Sequence, residues 1–136
     1  MFILGNHAKS LVPVVSTCLV NSVEHVFAPS EREAIQKTVQ TRGFDMIELS
    51  GKPSFATTAL AIAHHLRDWH AGTEAVVSVA MPAAEGNSYG VPAGIVFSFP
   101  CICRGGEWTV VDHPIDQQEQ DMVQLTIKDL IEEMAQ

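Results

Sequence analysis

Apolar and polar positions change rhythm several times along this chain, and each rhythm predicts an element. Phe2, Ile3 and Leu4 form a short apolar run that stops at Gly5, which predicts a strand over 2–4. Residues 11–27 are rich in valine but lack a clear period, and they resist assignment. In "APSEREAIQ", Ser30 is followed by Glu33 at the spacing of a capping box, with Pro29 just before. The helix expected from that start runs to about Arg42 and stops at Gly43, a natural left-handed cap. "FDMIEL" then predicts a short strand. "SFATTALAIAHHLRDW" has the strongest helical period. Phe55, Ala59, Ile62, Leu66 and Trp69 recur at alternating steps of four and three, which predicts one continuous buried stripe behind an N-cap at Ser54.

Past that helix the period shortens. "AVVSVAM" predicts a strand, and "GNSYG" predicts a loop between two glycines. "GIVFSFPCICR-GG-EWTVV" predicts a hairpin that turns at Gly105-Gly106, with Ile95, Phe97, Phe99, Cys101 and Cys103 on one face. Pro100 inside the first strand predicts a bulge or an unpaired edge position. A last helix is expected from about Asp116, with Glu119 in its acidic first turn and Val123, Ile127, Leu130 and Met134 as its apolar stripe. Strand, helix, strand, helix, strand, hairpin, helix is the order of an α+β fold, with a largely antiparallel sheet and packed helices.

Composition narrows the function classes. A chain of 136 residues is one ordinary domain, long enough to bury a core. Its net charge of −8 argues against nucleic acid or an anionic membrane as partner. Cys18, Cys101 and Cys103 are odd in number, and the last two sit two apart in an expected strand, poorly placed to pair. That usage reads as a reduced, cytoplasmic protein. "SLVPVVSTCLV" fails as a signal core, because polar residues precede it and Pro13 interrupts it. No apolar run approaches membrane-spanning length.

Few residues stand out as candidates for chemistry. His7 follows Gly5-Asn6, a pair that tolerates a sharp turn just past a strand end. It reads either as an exposed histidine near a terminus or as a general acid-base group, which its ordinary titration range suits. Ser54 reads as a helix cap, though a helix N-terminus is also an anion site. His64, His65, His70 and His113 with the cysteines show no C-x2-C or H-E-x-x-H spacing, so no metal site is expected. A cysteine nucleophile has no local signature either. "EGNSYGVP" reads as a connecting loop or a ligand cradle, and no phosphate-binding glycine loop occurs anywhere.

Taken together, these segments resemble a family. "ILGNHAKS…P" is similar to the I-W-G-N-H-S segment of cytosolic-type malate dehydrogenases, and "TVQTRGFDMI" to their T-V-Q-x-R-G run. "SFATTALAIAHHLRDWHAGT" resembles their S-S-A helix with its H-x-R-D ending, and "GNSYGVPAGIVFSFPC" resembles G-N-S-Y-G-V-P-x-x-L-x-Y-S-F-P. "EWTVVDHPIDQQEQDMVQLTIKDLIEE" resembles their ending. The resemblance spans essentially the whole chain, in order, and covers the C-terminal, substrate-side domain of the lactate/malate dehydrogenase family.

This resemblance implies roles. His7 lies at the position of the family's proton acceptor, which takes the malate hydroxyl proton as hydride passes to the nicotinamide. Asn6 and Ser54 fall near substrate and cofactor, while the G-N-S-Y-G-V-P segment is a signature without a catalytic role. The Rossmann domain, the L-D-x-x-R-A segment and the mobile-loop arginines have no counterpart in these residues. Three local departures stand beside that: Ala8 and Pro53 replace serines, and the stretch between Pro13 and Pro29 is shortened. The expectation is the substrate domain of an NAD- or NADP-dependent malate dehydrogenase acting on malate and oxaloacetate. It is expected to lack turnover and tight cofactor binding on its own, and to form a homodimer through apolar surface at residues 2–4 and around Val12, Val14 and Val15. The alternative is a non-enzymatic interaction or ligand-binding module derived from the same domain.

Overall fold

A computed structural model describes residues 1–21 and 23–135. Its elements are β1 (Phe2–Leu4), β2 (Val12–Val14), β3 (Cys18–Val20), β4 (Val23–His25), α1 (Pro29–Ser50), α2 (Phe55–Ala71), β5 (Thr73–Pro82), β6 (Val96–Arg104), β7 (Glu107–Val110) and α3 (Gln117–Met134). Every strand pair is antiparallel: β1 with β2, β3 with β4, and β5-β6-β7 in one sheet. The α+β architecture expected from the sequence is the one observed. The unassigned stretch 11–27 supplies three short strands, β2 to β4.

The core forms where β1, β2 and α3 close over β6. Leu4, Val12, Val14, Phe97, Phe99, Cys101 and Val123 are fully buried, and Ile127 and Tyr89 pack with them. Each such side chain contributes about 1.5–3 kcal/mol by leaving water. The alternation along β6 places Phe97, Phe99, Cys101 and Cys103 inward, as its pattern predicts. The hairpin turns through Gly105 and Gly106 with φ of 58° and 83°, a pair of left-handed residues that match strand twist.

Pro100 is not a bulge. It pairs with Ser78 in the body of the sheet, and the register shift lies in β5 between Thr73 and Val77. The Pro100 carbonyl accepts from Val111 N–H at 2.9 Å, just beyond the end of β7. The missing proline N–H would face the Val111 carbonyl on that same side, and the Tyr89 hydroxyl donates to that carbonyl instead at 3.4 Å.

α1 departs most from expectation. It begins at Pro29 with Ala28 as N-cap, and Glu31 Oε2 accepts the Ala28 N–H at 2.9 Å, so the Ser30/Glu33 reading is displaced by two residues. It then continues through Gly43 to Ser50, and "FDMIEL" is helix rather than strand. Gly51, at φ 71°, is the left-handed cap, with its N–H on Ile47 O at 2.8 Å. Thr41 Oγ1 donates to Asp45 Oδ2 at 2.8 Å and so bridges the glycine. α1 docks on β2 through amides: Gln36 Nε2 donates to Pro13 O, and Gln40 Nε2 to Leu11 O.

α2 spans the expected residues, but its stripe is not buried. Phe55 is 69% exposed, Ile62 55% and Leu66 55%, and none of its residues is buried. The helix hangs on the β6–β7 hairpin, where Trp69 Nε1 donates to Gly106 O at 2.6 Å and the His65 ring stacks on Trp108. α3 is closer to its pattern. Asp116 caps it, and Val123 and Ile127 are buried, while Met134 at the far end is exposed. Glu119 is more than a first-turn acid. Fully buried, it accepts from Val15 N–H, Ser16 N–H, Ser16 Oγ–H and Arg32 Nη2, and Arg32 also pairs with Asp116 at 2.6 Å. This hub ties β2, α1 and α3 together.

Candidate active site

His7 is placed by the strand before it. Gly5 forms an antiparallel bridge with Ser98 of β6, with N–H to O distances of 3.3 and 2.9 Å. Ser78 Oγ accepts the Ile3 N–H, and Ser98 Oγ donates to Ile3 O, so side chains from β5 and β6 stitch β1 in place. Gly5 has φ of 106°, and a Cβ there would meet Thr126 of α3 at 3.0 Å. Only glycine meets both demands, and the turn it makes projects the next residues off the sheet. Asn6 Oδ1 accepts the His7 backbone N–H at 2.8 Å, and Asn6 Nδ2 donates to Glu133 Oε2 at 3.0 Å. The His7 side chain is exposed, and its imidazole has no hydrogen-bond partner among the described residues.

Ser54 is positioned from the other side. It is the N-cap residue of α2, yet its hydroxyl caps no backbone N–H. Ser54 Oγ accepts from Thr57 Oγ1 at 2.8 Å instead, and Ser54 O accepts from Thr58 Oγ1 at 2.9 Å. The first amides of α2 are thereby left without a side-chain cap, at the positive end of the helix dipole.

His7 and Ser54, far apart in sequence, line one cavity of about 590 Å3. Its walls are Ala8 and Leu11 behind His7, the α1 residues from Val39 to Ile47, and Pro53 to Thr58 at the start of α2. Continuation of α1 through Gly43 builds that wall, so the misread strand and the missed cavity are one event. Arg42, Gln40, Phe44 and Thr58 are lining residues that the sequence reading passed over. A helical reading of 44–50 would have placed Gln40, Phe44 and Ile47 on one face of α1, the face that lines this cavity. Ala8 and Pro53, two of the departures from the family pattern, also lie in this wall.

The other candidates fall elsewhere. Tyr89 of "GNSYG" is buried, and its hydroxyl donates to His113 O at 3.2 Å and accepts His113 N–H at 3.0 Å. Burial raises its pKa above the ordinary tyrosine value. Asn87 closes its own loop by donating to Ala84 O and Val91 O and accepting Val91 N–H. The segment is a lock on the 111–113 stretch, away from His7. Cys101 is sealed in the core, and burial pushes its thiol up to about 11, which leaves it inert at neutral pH. Among the described residues no histidine, cysteine and carboxylate cluster could hold a metal. No helix there is long and apolar enough to cross a membrane.

The comparisons with known proteins converge. The sequence model of the lactate/malate dehydrogenase alpha/beta C-terminal domain matches residues 1–136. A malate dehydrogenase of Corynebacterium jeikeium is 38% identical over 99% of this chain and 42% of that protein. A cytoplasmic malate dehydrogenase of Beta vulgaris is 35% identical over 99% of this chain and 43% of its own length. Among solved structures, Trichomonas vaginalis lactate dehydrogenase in complex with NADH and oxamate superposes with a TM-score of 0.88 at 28% identity, over 98% of this chain and 44% of that one. Malate dehydrogenase from Naegleria fowleri gives a TM-score of 0.83 at 34% identity, over 96% and 41%. This chain therefore spans less than half the length of these relatives. With the match running end to end over an antiparallel α+β fold, the chain belongs to the lactate/malate dehydrogenase family, and its residues make up that family's C-terminal domain.

Proposed function

We propose that this chain is the substrate-side half of an NAD- or NADP-dependent malate dehydrogenase, with His7 as the proton acceptor for the malate hydroxyl. The observation that carries the reading is the shared cavity: His7 from the end of β1 and Ser54 from the start of α2 line one space. Asn6 holds the His7 backbone from behind. The exposed imidazole keeps both ring nitrogens open for a substrate hydroxyl and for an orienting group. The relatives named malate dehydrogenase favour malate and oxaloacetate as the substrate pair. The relatives named cytoplasmic, with the free cysteines here, favour the cytoplasm.

A bound nicotinamide cofactor would supply the hydride acceptor. The residues of this chain do not fit the body of a dinucleotide. There is no glycine loop for the phosphates, and the described strands pair antiparallel, without the parallel strand–helix crevice such a ligand needs. These residues serve the substrate side of the reaction, and the chain alone is expected to show no turnover and weak dinucleotide affinity. A homodimer is proposed too, on a different surface from the one first expected. Phe2, Leu4, Val12, Val14 and Val15 are buried within the chain, and β1 is paired rather than open. The exposed apolar side chains are instead Phe44, Leu49, Phe55, Ile62, Leu66 and Trp69 on α1 and α2.

Nuclear magnetic resonance of the 15N-labelled chain tests the reading. Added malate is expected to shift His7, Thr57 and Thr58. A titration that moves none of them overturns it.

A further inference from the structure

α3 grips the turn that carries His7 from both sides. Thr126 abuts Gly5 and accepts from Ser10 Oγ at 3.3 Å, and Glu133 Oε2 accepts from Asn6 Nδ2 at 3.0 Å. Thr126 and Glu133 lie seven residues apart, so they share one face of the helix. For the helix itself the place of Glu133 is unfavourable. It lies in the last turn, at the negative end of the helix dipole, where a basic residue would be favoured and none is present. Its neighbour Glu132 pairs with Lys128 at 3.8 Å, whereas Glu133 makes no ion pair among the described residues. What Glu133 meets instead is the side chain next to His7.

We propose that Glu133 is a positioning residue for His7, acting through Asn6 to fix the turn from which the imidazole leaves the sheet. This rests on the reading of His7 as the proton acceptor. The relay works by donor and acceptor type. A carboxylate offers acceptors only, so it takes the Nδ2 end of the Asn6 amide. The Oδ1 end is thereby left facing the His7 backbone N–H, which donates to it at 2.8 Å. A half-turn of the amide would set oxygen against oxygen at Glu133 and N–H against N–H at His7. Glu133 therefore selects one of two amide orientations, and the backbone at His7 is held in the conformation that fits it. Holding the reacting group in place before the substrate arrives is what such a contact supplies.

Glu133→Lys separates this role from a merely structural one. An ammonium donates only, so it takes Oδ1 and turns Nδ2 towards the His7 N–H. A cation in the last turn also suits the helix dipole, so the variant should unfold at an unchanged or higher urea midpoint. 15N nuclear magnetic resonance of the whole chain then reads the His7 backbone amide. In Glu133→Lys its proton signal should move upfield, and its exchange with solvent should quicken about five- to tenfold, the scale of one lost hydrogen bond. Glu133→Gln, which can offer either end of its amide, should fall between. Glu132→Lys, one residue away with the same change of charge, should leave the His7 amide as in the wild type. On addition of L-malate, the His7 shift should shrink in Glu133→Lys relative to the shifts of Thr57 and Thr58 in the same spectra. An unchanged His7 amide in Glu133→Lys, an equal response in Glu132→Lys, or a response that comes only with a fallen midpoint overturns the proposal and leaves the reading of His7 intact. Malate that leaves His7 unshifted in the wild type, while the amide responds to Glu133→Lys as expected, overturns the reading of His7 and the positioning role with it.

Discussion

Gly5 sets the placement of His7, and Glu119 sets how β2, α1 and α3 meet. At Gly5 the positive φ and the 3.0 Å approach to Thr126 act together, so Gly5→Ala must strain the backbone and push against α3 at once. A loss of about 1–3 kcal/mol is expected, read as a lower urea midpoint with an unchanged slope. Glu119 gathers two backbone N–H groups, a hydroxyl and a guanidinium in a fully buried spot. Glu119→Ala leaves the two backbone N–H groups and the Ser16 hydroxyl without their acceptor, with Arg32 held by Asp116 alone, and a loss of about 3–5 kcal/mol is expected in the same assay. The acidic first turn of α3 was legible in sequence. Its role as a hub was not, because its partners Val15, Ser16 and Arg32 come from other elements.

At the level of elements, α1 decides the shape of the site. Gly43 sits inside the helix, and a Cβ added there meets nothing within 4 Å. Gly43→Ala should therefore raise stability by about 0.5–1 kcal/mol, measured as a higher midpoint in thermal or urea unfolding. A decrease would show that this glycine is needed for more than helix. The alternation of "FDMIEL" imitates a strand, and a glycine before it imitates a stop; the helix persists because Gly51 offers the better cap. The α2 stripe misleads in the opposite sense. Its period correctly marks a helix, but periodicity reports that a face is apolar, and α2 leaves that face open to solvent in this chain. The hairpin, by contrast, reads directly from sequence because its glycines, register and core face are all local. The salt link at the head of α3 carries a pH signature. Arg32, hydrogen-bonded to the Asp116 carboxylate, holds that carboxyl below its ordinary range. Asp116 therefore favours the folded state above its ordinary titration range, and this contribution fades as pH falls through the depressed folded value. The contribution of this link should be flat above about pH 5 and decline below it. Asp116→Asn should lower the plateau and flatten the acid limb.

For the whole molecule, the fold class and the family were legible, while the stretch 11–27 and the second half of α1 were not; the meeting of His7 and Ser54 was implied by the resemblance and not by the local pattern around either residue. Their convergence needs Gly5 to turn β1 off the sheet and α1 to run its full length, both long-range results. The isolated chain should leave malate and NAD unreacted, and sedimentation at micromolar concentration should show a dimer rather than a 14.8 kDa monomer. Burial of the exposed apolar side chains of α1 and α2 is the expected drive for that association. The central claim is that His7 moves the substrate proton, and supplying a cofactor domain from a relative tests it most directly. The part of the Corynebacterium jeikeium malate dehydrogenase that precedes the matched region is joined ahead of this chain, and malate-dependent NAD reduction is measured. The account predicts a rate that falls by about 10²–10⁴-fold in His7→Asn while NADH binding is retained. A fusion that binds NADH but turns over no malate, or one whose rate survives His7→Asn, would contradict it.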